Sequence, residues 1–373
     1  MMGHRWLFKP IDSWFFRDST PFEAGVAGRG ELKTMFPPSI STLQGAIRTA
    51  LAYGQGWIPD HPSARSKFPK ELGGAEDLGS LTLRGPYLRF NRQRLYPAPS
   101  FLLNSVERSS EKGEEKRTFV RLVPGEAVTC DLGRVKLPSP QEKIAGLKST
   151  DGVYVTEAGM KRVLAGGIPA DDEWYTGSRL WSMERRVGLE RDILTRTAKD
   201  GLLYSTTHVR LDKDLELEVI EVGCPQGWSE QIPPMIRLGG EGRLAYVEID
   251  EVAEDCPEFP RFNDSNSQCL YTVTLITPGD FHDVDYVSRH GPCGLPGELQ
   301  TACIEKPLVI GGWNLEKGVS RPTKNLLPAG STWFYVAEQD DLAYLRKIHG
   351  QCLGDSQAYG YSQILIGTWE GKT

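Results

Sequence analysis

At 373 residues the chain is long enough for two domains of ordinary size or one with large insertions, and 39% apolar with 25% charged residues describes a globular protein with a sizeable core. A net charge of −6 argues against nonspecific nucleic-acid binding by the whole surface, so any such contact requires a local basic face. No apolar run approaches a bilayer span, Met1 to Arg5 leads into a strand rather than a signal-peptide core, and seven cysteines without a CxxC pair read as free thiols; the expectation is a cytoplasmic chain with no metal, no cofactor and no membrane contact.

Trp6 to Ile11 reads as a first strand. The loop behind it carries flat apolar faces in Trp14, Phe15, Phe16 and Phe22, cationic donors in Arg17, Arg29 and Lys33, and permissive backbone at Gly25, Gly28 and Gly30. Cation, aromatic and glycine together suit single-stranded nucleic acid. The same residues also read as a packed corner with ordinary turns, and both readings stand on chemistry alone. Leu43, Ala46, Ile47, Ala50 and Leu51 make one apolar stripe, which predicts a helix from about Ser39, with Ser39 or Ser41 as N-cap and Gly54 as the stop. Arg48 falls on the opposite side, either solvated or in reach of a ligand.

Gly54 to Ser80 lacks periodicity and reads as a surface insertion. Arg84, Arg89, Arg92 and Arg94 form a basic run without an acid, and Leu81 to Phe90 and Arg94 to Leu103 read as extended segments. Glu107 to Arg117 is dense in mixed charge, the solvated tip of a hairpin. Thr156 to Leu164 predicts a short helix, and Leu202 to Leu211 with Leu215 to Val222 predicts a hairpin turned at 212–214. A glycine loop, Gly239-Gly240-Glu241-Gly242-Arg243, precedes a strand at Leu244 to Ile249, with a helix expected before it; Gly354 and Gly360 bracket a second loop before the strand Tyr361 to Trp369. Neither loop matches a nucleotide-hydrolysing phosphate loop or a dinucleotide fold.

Residues 253–267 suit a linker, so the expected domains are 1–252 and 268–373. In the second, strands at Cys269 to Thr277, Leu308 to Gly311, Thr332 to Ala337 and Tyr361 to Trp369, with one helix in 280–301 and another from about Asp340, make a βαββαβ order. That is a ferredoxin-like (RRM-like) α+β fold.

The run WFFRDSTPFEAGVAGRGELKTMFPPSISTLQGAIRTALA, the segments RVGLERD and TAKDGLLYSTTHVRL, and KPLVIGGWN followed by Arg321 and Lys324 resemble the RAMP superfamily of CRISPR proteins, specifically the third-subunit family of type III-B Cmr effector complexes. The matching segments span most of the chain, with 55–80 and 104–118 outside them. The resemblance implies two ferredoxin-like domains with glycine-rich loops and a noncatalytic subunit that holds the repeat-derived 5′ tag of crRNA. It implies as partners the large polymerase-like subunit and the backbone RAMP subunit, with target RNA as a further contact. The expected RNA-binding residues are Trp14, Phe15, Arg17, Asp18, Phe22, Arg29, Lys33, Arg48, Gly239, Gly240, Gly242, Arg243, Lys306, Trp313, Arg321, Lys324, Gly354 and Gly360. Two alternatives stay open, a crRNA-processing endoribonuclease and a protein-binding scaffold with little RNA contact. For the first, the six histidines are dispersed, and none stands in a pattern that puts it beside a second proton-transfer group.

Overall fold

The computed structural model describes residues 2–18, 32–58, 68–108, 115–131, 133–253, 256–263, 267–314 and 318–371. They form a strand-rich mixed α/β chain with few helices. Two compact units interleave along the sequence: Met1–Arg92 with Ser178–Glu254 and Val309–Lys324, and Gln93–Gly177 with Asp255–Leu308 and Asn325–Thr373.

The first unit contains β1 (Met2–Pro10), α1 (Ile40–Gly54), β2 (Thr82–Phe90), β3 (Trp181–Arg191), β4 (Ala198–Leu211), β5 (Leu215–Val222), β6 (Met235–Arg237) and β7 (Leu244–Ala253). Its sheet runs β6-β7-β1-β5-β2, antiparallel throughout. Alternation sets its two faces: Trp6, Phe8, Leu217, Val219 and Val247 are buried, while Arg5 pairs with Glu218 at 3.0 Å and Lys9 and Arg89 pair with Glu216 at 2.7 and 3.1 Å. Arg89 of the basic run is thus engaged within the sheet. In α1 the expected stripe of Leu43, Ala46, Ile47, Ala50 and Leu51 is buried, and the Ser39 hydroxyl caps the helix by accepting from the Ser41 amide. Two expectations are corrected here. β4 pairs with β3 rather than β5, because β5 is drawn between β1 and β2 by its apolar face. No α-helix precedes the first glycine loop: Ser229–Gln231 is a single 3-10 turn, followed by β6.

The second unit contains β8 (Gln268–Leu275), α2 (Val284–His290), β9 (Glu298–Cys303), β10 (Thr332–Glu338), α3 (Leu342–Ile348) and β11 (Ile364–Thr368), with its sheet in the order β9-β10-β8-β11. The second strand of that sheet is Glu298–Cys303. Leu308–Asn314, expected there, instead forms a ribbon with Val319–Leu326, where the exposed face of Val319, Ser320 and Pro322 needs no core. Both sheet faces are covered. Tyr271, Val273, Trp333 and Tyr335 pack with Leu345 and Val287, while Phe334 packs with Phe101, Leu102, Val163 and Trp369. Val163 comes from the expected short helix, Glu157–Leu164, which Thr156 caps by accepting from the Gly159 amide.

Candidate functional site

β1 ends at Pro10, and the chain bends through Asp12 and Ser13 into a short extended segment. Trp14 exchanges two backbone hydrogen bonds with Val209 of β4, at 2.9 and 2.8 Å. The returning segment is tied on both sides: Met35 N–H donates to Phe16 O at 2.9 Å, Asp18 N–H to Lys33 O at 3.2 Å, and Leu32 N–H to Ser205 O at 2.9 Å. Arg17 and Lys33 are exposed on these paired segments, with Asp18 half-buried between them in sequence.

The aromatic run turns inward. Trp14, Phe15 and Phe16 are all buried; the Trp14 indole N–H donates to Leu244 O at 3.2 Å, and the Phe15 ring stacks on His208 at 5.3 Å. Their rings fill the corner between β4 and the glycine loop, so the stacking on bases expected of Trp14 and Phe15 is replaced by packing. The glycine loop closes over them. Gly240 N–H donates to Phe15 O at 2.8 Å, and a Cβ on Gly239, whose φ is +89°, would stand 2.6 Å from that carbonyl. The Gly240 amide expected to capture RNA backbone is therefore committed to protein, whereas Gly242 borders open space.

Beside this corner lies a cluster that only the fold assembles. The Asp12 carboxylate meets Arg186 Nη2 at 2.7 Å, Arg210 Nη2 at 2.8 Å and Arg243 Nη1 at 3.3 Å. Glu184 meets the same Nη2 atoms at 2.7 and 2.6 Å and also accepts from Nε of both Arg186 and Arg210 at 2.8 Å. Hydrogen bonds from Arg186 and then Arg210 hold the Asp12 carboxyl down at about 2. Arg243 keeps a buried Nε without a hydrogen-bond partner among the described residues. Of this set only Arg243 is expected from sequence as a site residue; the signal for Glu184, Arg186, His208 and Arg210 is their two-residue alternation on paired strands.

Other expected residues lie apart from this corner. Arg48 donates to Gly74 O at 2.6 Å and Arg321 to Ala75 O at 2.6 Å, so both pin the 74–76 segment. Lys324 and, in the second unit, Lys306 are exposed. A Cβ on Gly354, whose φ is +75°, would stand 2.6 Å from Asp280 O and from the Phe281 ring, and Gly360 O accepts from the Thr277 hydroxyl, which makes the second glycine loop a packed turn. Phe22 and Arg29 lie outside the described residues, as does the Trp313 side chain.

Several histidines gain polar neighbours across the sequence, His208 and His4 among them. His208 is buried, 3.5 Å from Ser13 Oγ and 3.1 Å from Thr206 Oγ1, and burial, then Arg243, lowers its pKa. His4 sits 3.1 Å from both Glu221 Oε2 and Ser229 Oγ. The dispersion of histidines in sequence is thus corrected by the fold, which sets His4 beside a carboxylate 217 residues away. Among the described residues no group of three His, Cys, Asp or Glu side chains is placed to hold a metal, and no helix is long and apolar enough to cross a membrane.

The family model described as CRISPR-associated protein (Cas_Cmr3) matches residues 6–369. A chain of the type III-B Cmr-beta complex bound to cognate target RNA aligns with a TM-score of 0.50 at 15% identity, covering 96% of each chain. A chain of Cmr-beta bound to cognate target RNA and AMPPnP gives 0.48 at 15% identity, covering 92% of this chain and 88% of that one. A chain of a Csm3-Csm4 subcomplex from the type III-A interference complex gives 0.38 at 12%, covering 90% and 94%. No curated protein matches.

Proposed function

The chain belongs to the Cas_Cmr3 family of CRISPR-associated proteins, and on that premise we propose that it is a noncatalytic crRNA-binding subunit of a type III-B RNA-targeting effector complex. In this reading it recognises the repeat-derived 5′ tag, works in the cytoplasm, and docks the large polymerase-like subunit and a backbone RAMP subunit. The repeated sheet order supports two ferredoxin-like domains in chain order, 1–252 and 268–373 with a 253–267 linker. The order β7-β1-β5-β2 matches β11-β8-β10-β9 strand for strand, with 93–177 inserted into the first repeat.

The observation that carries the RNA reading is the pair Arg17 and Lys33, exposed on segments clamped to β4 beside the glycine loop and the arginine cluster. A locally basic corner on an acidic chain suits phosphate contacts that position a strand, with Asp18 proposed to read a base edge. Arg29, Phe22, Lys306, Trp313 and Lys324 complete the proposed contacts. The test is binding of tagged and tag-scrambled crRNA to the chain with its large partner, comparing wild type with Arg17→Ala/Lys33→Ala and Arg17→Ala/Arg29→Ala. Loss of tag preference, with a salt slope reduced by about 0.7 per lost phosphate contact, supports the reading. Unchanged binding and preference sinks it.

One observation favours a second reading. His4 between Glu221 and Ser229 has the neighbours of a general base, as an endoribonuclease requires. Cleavage of crRNA precursor by wild type, abolished in His4→Ala, would establish it. Intact RNA with both proteins leaves the noncatalytic subunit.

A further inference from the structure

We propose that Asp12 is a built-in phosphate surrogate: its carboxylate holds the point where Arg186, Arg210 and Arg243 converge, and an RNA phosphate takes that point when the strand binds. The inference rests on the reading that this corner meets RNA.

Three features distinguish the arrangement from an ordinary surface ion pair. First, all three guanidiniums reach one carboxylate, Arg186 and Arg243 at Oδ2 and Arg210 at Oδ1, the convergent donor set that a phosphate also takes. Second, Glu184 accepts from Nε of Arg186 at Oε1 and from Nε of Arg210 at Oε2, both at 2.8 Å, donors that Asp12 does not use, so both arginines stay aimed when the Asp12 side chain leaves. Third, Asp12 stands in the bend that follows β1 with its side chain 45% exposed, so it can swing out without opening the core, while Arg243 retains a buried Nε without a hydrogen-bond partner among the described residues. Three guanidiniums against two carboxylates leave one net positive charge in the cluster; with Asp12 displaced the arginines face the ligand with two. A lone anion gains little by such an exchange. A strand whose other phosphates also meet Arg17 and Lys33 gains enough to drive it, so the carboxylate selects for a polyanion in register.

The test is RNA binding by the full chain across a salt series, comparing wild type with Asp12→Asn. The cluster with Asn keeps its size and loses the competing charge; binding at low salt tightens by about tenfold, and the salt slope steepens by about 0.7 as one more phosphate is neutralised. Glu251→Gln makes the same change in net charge on an exposed position of β7 and moves affinity less than about threefold. Circular dichroism checks folding, and Asp12→Ser replaces Asp12→Asn should the latter unfold. Equal tightening by Glu251→Gln reduces the effect to bulk charge and overturns the proposal. So does an Asp12→Asn variant that binds like wild type while Arg17→Ala/Lys33→Ala weakens binding, an outcome that leaves the RNA-binding corner standing. If none of these variants alters binding, the corner itself is lost, and the surrogate with it.

Discussion

Single residues in this chain are committed by partners far away in sequence. His349 accepts from the Ile366 amide through Nδ1 at 3.0 Å, and its Nε2 proton goes to Pro257 O, so the folded state needs the neutral ring in one tautomer. Burial lowers the pKa of His349, and burial followed by Arg243 lowers that of His208. With both folded values below the ordinary histidine value, the unfolded chain binds more protons in that window; stability is full above about pH 6.5 and is lost as pH falls through the folded pKa values. Urea midpoints should therefore drop between about pH 7.5 and about pH 5.5, and His349→Gln should flatten that dependence. Arg121 is the other committed group. Its guanidinium is buried, donates to Val163 O, Gly167 O and Thr368 O at 2.8, 2.7 and 3.2 Å, and lies over the Phe101 ring; burial pulls its pKa down to about 10 against the opposing pull of Glu370. Arg121→Met strips three carbonyls of their donor and should cost about 3 kcal/mol, read from urea unfolding. Neither role is legible in sequence, where Arg121 is one arginine in a strand-like run.

Elements formed where neighbouring residues dictated them and paired where distant ones did. The α1 stripe and its Ser39 cap are local, and both were readable. Glycine positions were readable as well, but not their use. Gly239 is at a φ of +89° with its would-be Cβ against Phe15 O, whereas Gly242, at +66°, borders nothing within 4 Å. Gly239→Ala should displace the loop from Phe15 and lower the thermal midpoint by several degrees, while Gly242→Ala meets only the cost of a positive φ, about 1 kcal/mol. The β3–β4 hairpin shows the limit of local reading. The turn at 212–214 looks like a hairpin link, and there Asp212 does accept from the Asp214 amide at 3.1 Å. The strands it joins nevertheless part, because β5 has an apolar face that fits between β1 and β2 while β4 carries Arg210 and His208 towards Asp12 and Ser13.

At the scale of the whole molecule the chain order and the compact units differ. Residues 268–373 contain a full four-stranded sheet, yet one face of it is covered by Phe101, Leu102 and Val163 from the 93–177 segment. Expressed alone, 268–373 should expose that face and unfold without a cooperative transition; adding 93–177 should restore cooperativity, measured by near-ultraviolet circular dichroism on heating. The helix α1, the glycine turns and the mixing of helices with strands were determined by the sequence by itself, because periodicity, capping and turn chemistry are written in residues close along the chain, and the family was legible in the resemblance of whole segments. The inward facing of Trp14 and Phe15, the two interleaved units and the cluster at Asp12 were decided only by tertiary structure. Arg186, Arg210 and Arg243 stand 174, 198 and 231 residues from Asp12, and no local pattern encodes which strands the sheet brings together over such separations.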